Sequence, residues 1–210
     1  TIQSPNVVTV ASPVTVDQVT VNSGGTLATS VTLTNSGNLA LNGNFQLEQG
    51  GLATGGTFVY GSAGTLTFNN SSGSYGVNGT DVFWPTSSGP VNVNVSGAGG
   101  MTLNAARTVT GTFQTSSAIT NANNLTFNGT AQLNSGGSFG AAPTYGSAST
   151  LLYNTGGTYG RSSEWASGAT SEPANVQLSN NTTLNYPNGG GSFTHTITGR
   201  SEERTSELQS

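Results

Sequence analysis

The stretch YGSASTLLYNTGGTYG, Tyr145 to Gly160, nearly repeats YGSAGTLTFNNSSGSYG, Tyr60 to Gly76. The likeness extends in both directions. Upstream, GNLALNGNFQLEQGG (37–51) matches NNLTFNGTAQLNSGG (123–137), with Leu39 on Leu125, Leu41 on Phe127 and Leu47 on Leu133, each 86 apart. Downstream, Trp84 falls on Trp165, and PVNVNV (90–95) on PANVQL (173–178). The offset drifts from 86 to 81, so insertions are small and sit in Gly/Ser stretches. A chain of 210 residues thus contains a tandem duplication of about 85 residues. The organisation expected is leading coils over 1–36, a first module over 37–122, a second over 123–199, and a different tail over 200–210.

A finer period runs inside each copy. Apolar–polar–apolar triplets recur at Val19-Thr20-Val21, Leu39-Ala40-Leu41, Leu66-Thr67-Phe68 and Val93-Asn94-Val95. The second copy has Leu125-Thr126-Phe127, Leu151-Leu152-Tyr153 and Val176-Gln177-Leu178. Units of this size bury their apolar edge only against neighbours. Period-2 alternation with Thr, Asn and Gly rules out helical repeats. The pattern predicts an all-β right-handed parallel β-helix (a β-solenoid) built from the two modules. Leu39, Leu41, Leu66, Phe68, Val93 and Val95 are expected to stack inward, and outward Thr and Asn to form polar ladders. NSGG (22–25), NGN (42–44) and NGT (128–130) read as corners where Gly and Asn supply positive φ. The alternative is a pair of β-sandwich-like modules, which strand spacing of this kind also suits.

VTVNSGGTL (19–27), the NLTFNG-type rungs and STLLYNTGGTYGRSSEW (149–165) resemble repetitive secreted β-helix (pectin-lyase-like solenoid) surface proteins of Bacteroidota. The likeness is most specific over 151–184, including EPANVQLSNNTTLN. It implies an extracellular or cell-surface setting and export by type IX secretion, although no sorting domain is present. The chain opens at Thr1 rather than Met and shows no signal peptide, as expected of a fragment or processed piece.

Charge excludes several roles. Net charge is −4 and there is no Lys, so no basic stripe exists for nucleic acid. No run of about 18 apolar residues exists to span a bilayer as a helix. The last eleven residues, RSEERTSELQS, carry five of the twelve charges and resemble the translation of a sequencing-library adapter, one residue apart. They are left out of the fold expectation.

Catalytic signals are sparse. The acids outside the tail are Asp17, Glu48, Asp81, Glu164 and Glu172; Asp81 and Glu164 occupy equivalent loops one module apart. Too distant to cooperate, they read as turn-capping loop acids. His195, the single His, sits in FTHTIT and reads as a surface strand residue. GGSFG (136–140) matches the nucleophile-elbow pattern, but a helix does not follow it. Without Cys, and with one His, no metal site and no cofactor is expected, a calcium ion at Asp81 being the one candidate. An ice-binding face would need T-x-T on every coil, and the Thr pattern is not sustained.

The aromatic residues are the strongest functional signal. Tyr75 and Trp84 recur as Tyr159 and Trp165, and could stack on sugar rings while neighbouring amides bond hydroxyls. The competing reading has the two Trp sealing the solenoid beneath long loops. Arg161 beside Glu164 reads as a surface pair. Together these features suggest a non-enzymatic structural or adhesive segment with glycans of polysaccharides or cell surfaces as partners. Uncapped coils are expected to associate end to end. The alternative is a fragment of a pectate-lyase-like carbohydrate-active enzyme.

Overall fold

A computed structural model describes residues 1–168, 170–186 and, for the backbone, 201–202. Every pair of adjacent strands in it is parallel, and the coils wind as in a right-handed parallel β-helix. No hairpin joins the described strands, so the sandwich alternative is excluded. One ten-stranded sheet runs the length of the molecule. Its first nine strands are Val7–Val10, Thr26–Thr29, Asn44–Glu48, Thr65–Asn69, Asn92–Val95, Thr112–Thr115, Thr130–Asn134, Thr150–Asn154 and Asn175–Leu178. Shorter sheets close the coil behind it: Tyr75–Val77, Met101–Leu103, Ala118–Thr120 and Ser138–Phe139 on one side, Arg107–Val109, Leu125–Phe127 and Thr144–Tyr145 on another.

Register explains the core. Leu27, Phe45, Leu66, Val93, Phe113, Ala131, Leu151 and Val176 lie opposite one another along the long sheet. All eight are buried. Two residues on, the neighbouring row contains Leu47, Phe68, Val95, Leu133 and Tyr153, also buried. Each such aliphatic or phenyl side chain contributes roughly 1.5–3 kcal/mol through burial. The outward row is Thr26, Asn44, Thr65, Asn92, Thr112, Thr130, Thr150 and Asn175, and consists only of Thr and Asn. Side chains further along the same face join in bonds along and across rungs, as Thr67 Oγ1 does to Asn44 Oδ1 (2.8 Å) and Asn154 Nδ2 to Asn134 Oδ1 (2.8 Å).

Two expectations need adjustment. Leu39 and Leu41 are inward, but they belong to a different side of the coil, opposite Val19 and Val21 on one flank and Phe58 and Tyr60 on the other. The triplet spacing therefore counted a jump between faces as one coil and passed over Asn44–Glu48. Likewise, Gly43 and Gly129 do not have positive φ; Gly24 in the first corner does (78°). At Gly129 the constraint is space: a Cβ there would fall on the carbonyl oxygens of Gly111 and Thr110, one coil below.

The duplication also reaches further upstream than residue 37. Thr29 and Thr115, 86 apart, both sit inward at 0 % exposure. Each hydroxyl donates to the carbonyl two residues on (Val31, 2.8 Å; Ser117, 2.7 Å) and accepts that residue's N–H. A polar side chain fits the apolar row because the turn satisfies it.

At the far end, Ser201–Glu202 form the tenth strand, Ser201 opposite Val176 and Glu202 opposite Gln177. The tail had no place in the fold expectation. A parallel edge accepts an extended segment through backbone bonds that carry little sequence information. At the other end, Val7–Val10 has a partner on one side only, leaving Val7 63 % and Val8 45 % exposed.

Candidate functional site

Between Asn69 and Asn92, and again between Asn154 and Asn175, the coil is lengthened by a loop that carries a Trp. Trp84 is 1 % and Trp165 4 % exposed, so neither indole has a free face for a sugar ring. Trp84 packs on Phe68 (centroids 6.0 Å) and Trp165 on Tyr186 (5.3 Å, edge-on). Tyr75 and Tyr159 are half-buried, and each hydroxyl reaches a carbonyl of the preceding coil: Gly51 (2.9 Å) and Gly137 (3.5 Å). Burial lifts both phenol pKa values. The four predicted contact residues come together as two loop anchors, which favours the sealing arrangement over sugar stacking.

The two loops are held by copied bonds. Tyr60 Oη donates to the Phe83 carbonyl (2.7 Å), and Tyr145 Oη to the Glu164 carbonyl (2.6 Å). The Asp81 carboxylate accepts the Asn78 N–H (2.6 Å), and the Glu164 carboxylate the Ser162 N–H (2.9 and 3.0 Å). Both acids thus cap turns. Glu164 differs from the surface pair expected with Arg161, because it is wholly buried. Its second donor is Tyr153 Oη (3.0 Å). Desolvation raises its carboxyl pKa, opposed by the Ser162 N–H, the Tyr153 hydroxyl and the field of Arg161. The counterparts of Tyr153 and Glu164 in the first module are Phe68 and Phe83, which meet edge-on at 6.3 Å. One hydrophobic pair has been exchanged for one hydrogen-bonded pair.

Each loop is also tied to the following coil by one guanidinium, contributed from opposite sides. In the second module Arg161 lies in the loop; it donates to the Trp165 carbonyl (2.6 Å) and forward to the Tyr186 carbonyl (3.1 Å). In the first module Arg107 lies on the following coil. It donates to the carbonyls of Ala106 (2.9 Å) and Asn78 (2.5 Å), with its guanidinium 5.9 Å from the Trp84 ring centroid. Arg107 was not singled out in the sequence, because it sits in an ordinary alternating strand. It is 4 % exposed and borders a cavity of about 660 Å³. Burial lowers its pKa, with Asp81 acting in the opposite direction. A guanidinium remains charged at neutral pH even so.

A second recess of about 520 Å³ lies on the surface beside the long sheet. Glu48, Gln49, Asn69, Ser71 and Ser96 line it, and Glu48 accepts from Gln46 and from Asn69 (2.8 Å). Gly97 and Ala98 also line it. Among the described residues, no group of three or more His, Asp or Glu could hold a metal ion. No helix among the described residues is long and apolar enough to cross a membrane. His195 lies outside the described residues, as do 187–199 of the second module. Comparison with known proteins found no matching family model, no matching curated protein and no matching solved structure.

Proposed function

We propose that this chain is a structural and adhesive segment of a secreted or cell-surface bacterial protein, a rod that spaces and presents rather than one that turns over a substrate. The observation supporting this is the long sheet, which passes through both modules without interruption and faces outward with Thr and Asn on every internal rung. Such a face offers hydroxyl and amide groups at the ~4.8 Å spacing of neighbouring strands, a geometry suited to lying along a polysaccharide. Glycan contact is therefore assigned to this face and its recess at Gln49, Asn69 and Ser96, in place of the buried indoles.

Affinity electrophoresis through gels containing a panel of neutral and acidic polysaccharides tests the reading. Retardation by at least one glycan, weakened in Gln49→Ala/Asn69→Ala with Trp84 and Trp165 intact, is the expected result. Unchanged mobility in every gel overturns the adhesive role. Release of reducing ends or unsaturated sugars from any of these glycans would instead favour a pectate-lyase-like enzyme.

A further inference from the structure

In an Asn-Gly pair the side-chain amide lies open to attack by the next residue's backbone nitrogen, because glycine has no Cβ to shield that nitrogen. The sequence has four such pairs, at Asn42, Asn78, Asn128 and Asn188, the last lying outside the described residues. The other three are not alike. A Cβ-sized group at Gly43 or Gly129 would fall on carbonyl oxygens of the coil below, so neither corner has room for a ring to close. The Gly43 N–H is also committed to the Val21 carbonyl (3.0 Å). Asn78, Gly79 and Thr80 are exposed, and the nearest atom to such a group at Gly79 is Ala105 Cβ, at 3.7 Å. Among the described residues the Gly79 N–H has no hydrogen-bond partner.

Three bonds bear on the two atoms that would react. The electrophile is Asn78 Cγ, whose Oδ1 accepts Asn104 Nδ2 (3.0 Å). That donor sits where negative charge develops on Oδ1 as the nitrogen adds. The nucleophile is the Gly79 nitrogen, conjugated through the peptide bond with the Asn78 main-chain carbonyl. That carbonyl accepts Arg107 Nη2 (2.5 Å) and the Asp81 N–H (3.3 Å). A guanidinium on the oxygen draws electron density from the nitrogen and makes its N–H easier to remove.

The geometry points to Asn78-Gly79 as a self-modification site, at which Asn78 converts to isoaspartate and aspartate without an enzyme. The Gly79 nitrogen loses its proton to water and bonds to Asn78 Cγ; the Cγ–Nδ2 bond breaks, and ammonia leaves carrying a proton. Water then opens the succinimide at either carbonyl. Opening at the main-chain carbonyl turns the group that Arg107 holds into a free carboxylate, so isoaspartate gives the buried cation an anionic partner in place of a neutral one. With Tyr75-Gly76 aligned on Tyr159-Gly160, the second module has Ser162 in this place, so the change marks the first module alone. The site stands or falls independently of glycan contact on the long sheet.

The whole chain is aged at mildly alkaline pH, folded and in urea, and peptide maps are read by mass spectrometry, with electron-transfer fragmentation separating isoaspartate from aspartate. Expected in the folded chain is loss of Asn78 at least about tenfold faster than of Asn42 or Asn128, and in urea near-equal rates at all three. The isoaspartate share at Asn78 should be higher folded than in urea. Asn104→Ala, an exposed change, should slow Asn78 at least about threefold in the folded chain only. Arg107→Leu should slow it too; if that variant does not fold, Asn104→Ala and the urea comparison carry the test. A folded rate at Asn78 no greater than at Asn42 or Asn128 overturns the site. A tenfold preference that persists in urea overturns its structural origin. An unchanged rate in Asn104→Ala overturns the polarisation of Oδ1, and an equal isoaspartate share in both states overturns the part given to Arg107.

Discussion

The exchange of Phe68–Phe83 for Tyr153–Glu164 can be tested as an energetic unit. In Tyr153→Phe the buried Glu164 carboxylate loses a donor at 3.0 Å and keeps the Ser162 N–H. A hydrogen bond to a charged group is worth about 1.5–3 kcal/mol. For a domain of this size each kcal/mol moves Tm by about 2–4 °C, so the loss should be about 3–12 °C. Glu164→Phe strands both the Tyr153 hydroxyl and the Ser162 N–H, at about 1–3 kcal/mol each. The double variant restores the pair of the first module and strands only the Ser162 N–H. Both the lost Glu164 donor and the stranded Tyr153 hydroxyl drop out of the double variant, so it should be more stable than the sum of the single changes by about 2.5–6 kcal/mol, a strong coupling between contacting residues. Thermal melts of the four proteins, followed by near-UV circular dichroism, close the cycle. Additivity within about 0.5 kcal/mol would refute the claim that the two positions changed as a pair.

The same carboxylate makes stability depend on pH. Burial holds the folded-state pKa of Glu164 above its unfolded value, so within that window the folded chain keeps a proton that the unfolded chain has released. Glu164 should then cost stability as pH rises from about 4.3 through its folded-state pKa, by at most about 1.4 kcal/mol per pH unit, with recovery on acidification. Melts of wild type and Glu164→Gln across pH 4–8 check this, and parallel curves would contradict it. Trp84→Ala should lower stability by about 3–5 kcal/mol, seen in urea unfolding, because a fully buried indole is removed beneath its loop. Gly129→Ala should cost about 1–3 kcal/mol through the clash with the coil below; an unchanged urea midpoint would show that the corner can open. Val8→Lys puts a charge on the exposed first strand and should reduce self-association in sedimentation velocity, if edges of separate chains meet there.

The parallel coil and its repeat were legible because duplication leaves a copy of every side chain in the same register. Leu66, Phe68, Val93 and Val95 stack as their alternation implied. Alternation has no marker, however, for which side of the coil a strand occupies, so Leu39 and Leu41, inward as expected, could not be told apart from the strands of the long sheet. Thr29 and Thr115 broke the apolar row in sequence, since a local turn satisfies them in a way that composition does not record. At the candidate sites, the turn-capping of Asp81 and Glu164 followed from their loop positions. The burial of Glu164 did not, because a carboxylate reads as exposed until the tyrosine that pairs with it is known to face inward. Arg107 was hidden for the same reason: Arg-Thr-Val alternates like any strand, and its inward side appears only in the pairing with Leu125-Thr126-Phe127.

The strands lie across the rod, so the backbone hydrogen bonds that join rungs run along it. Tension applied end to end therefore pulls on one rung interface at a time, and the weakest interface yields first. A coil of about 20 residues that lets go releases roughly 70 Å of chain where it had occupied about 4.8 Å of rod. As a tether, the molecule would lengthen about fourteenfold per coil, in discrete steps, before the next interface bears the load.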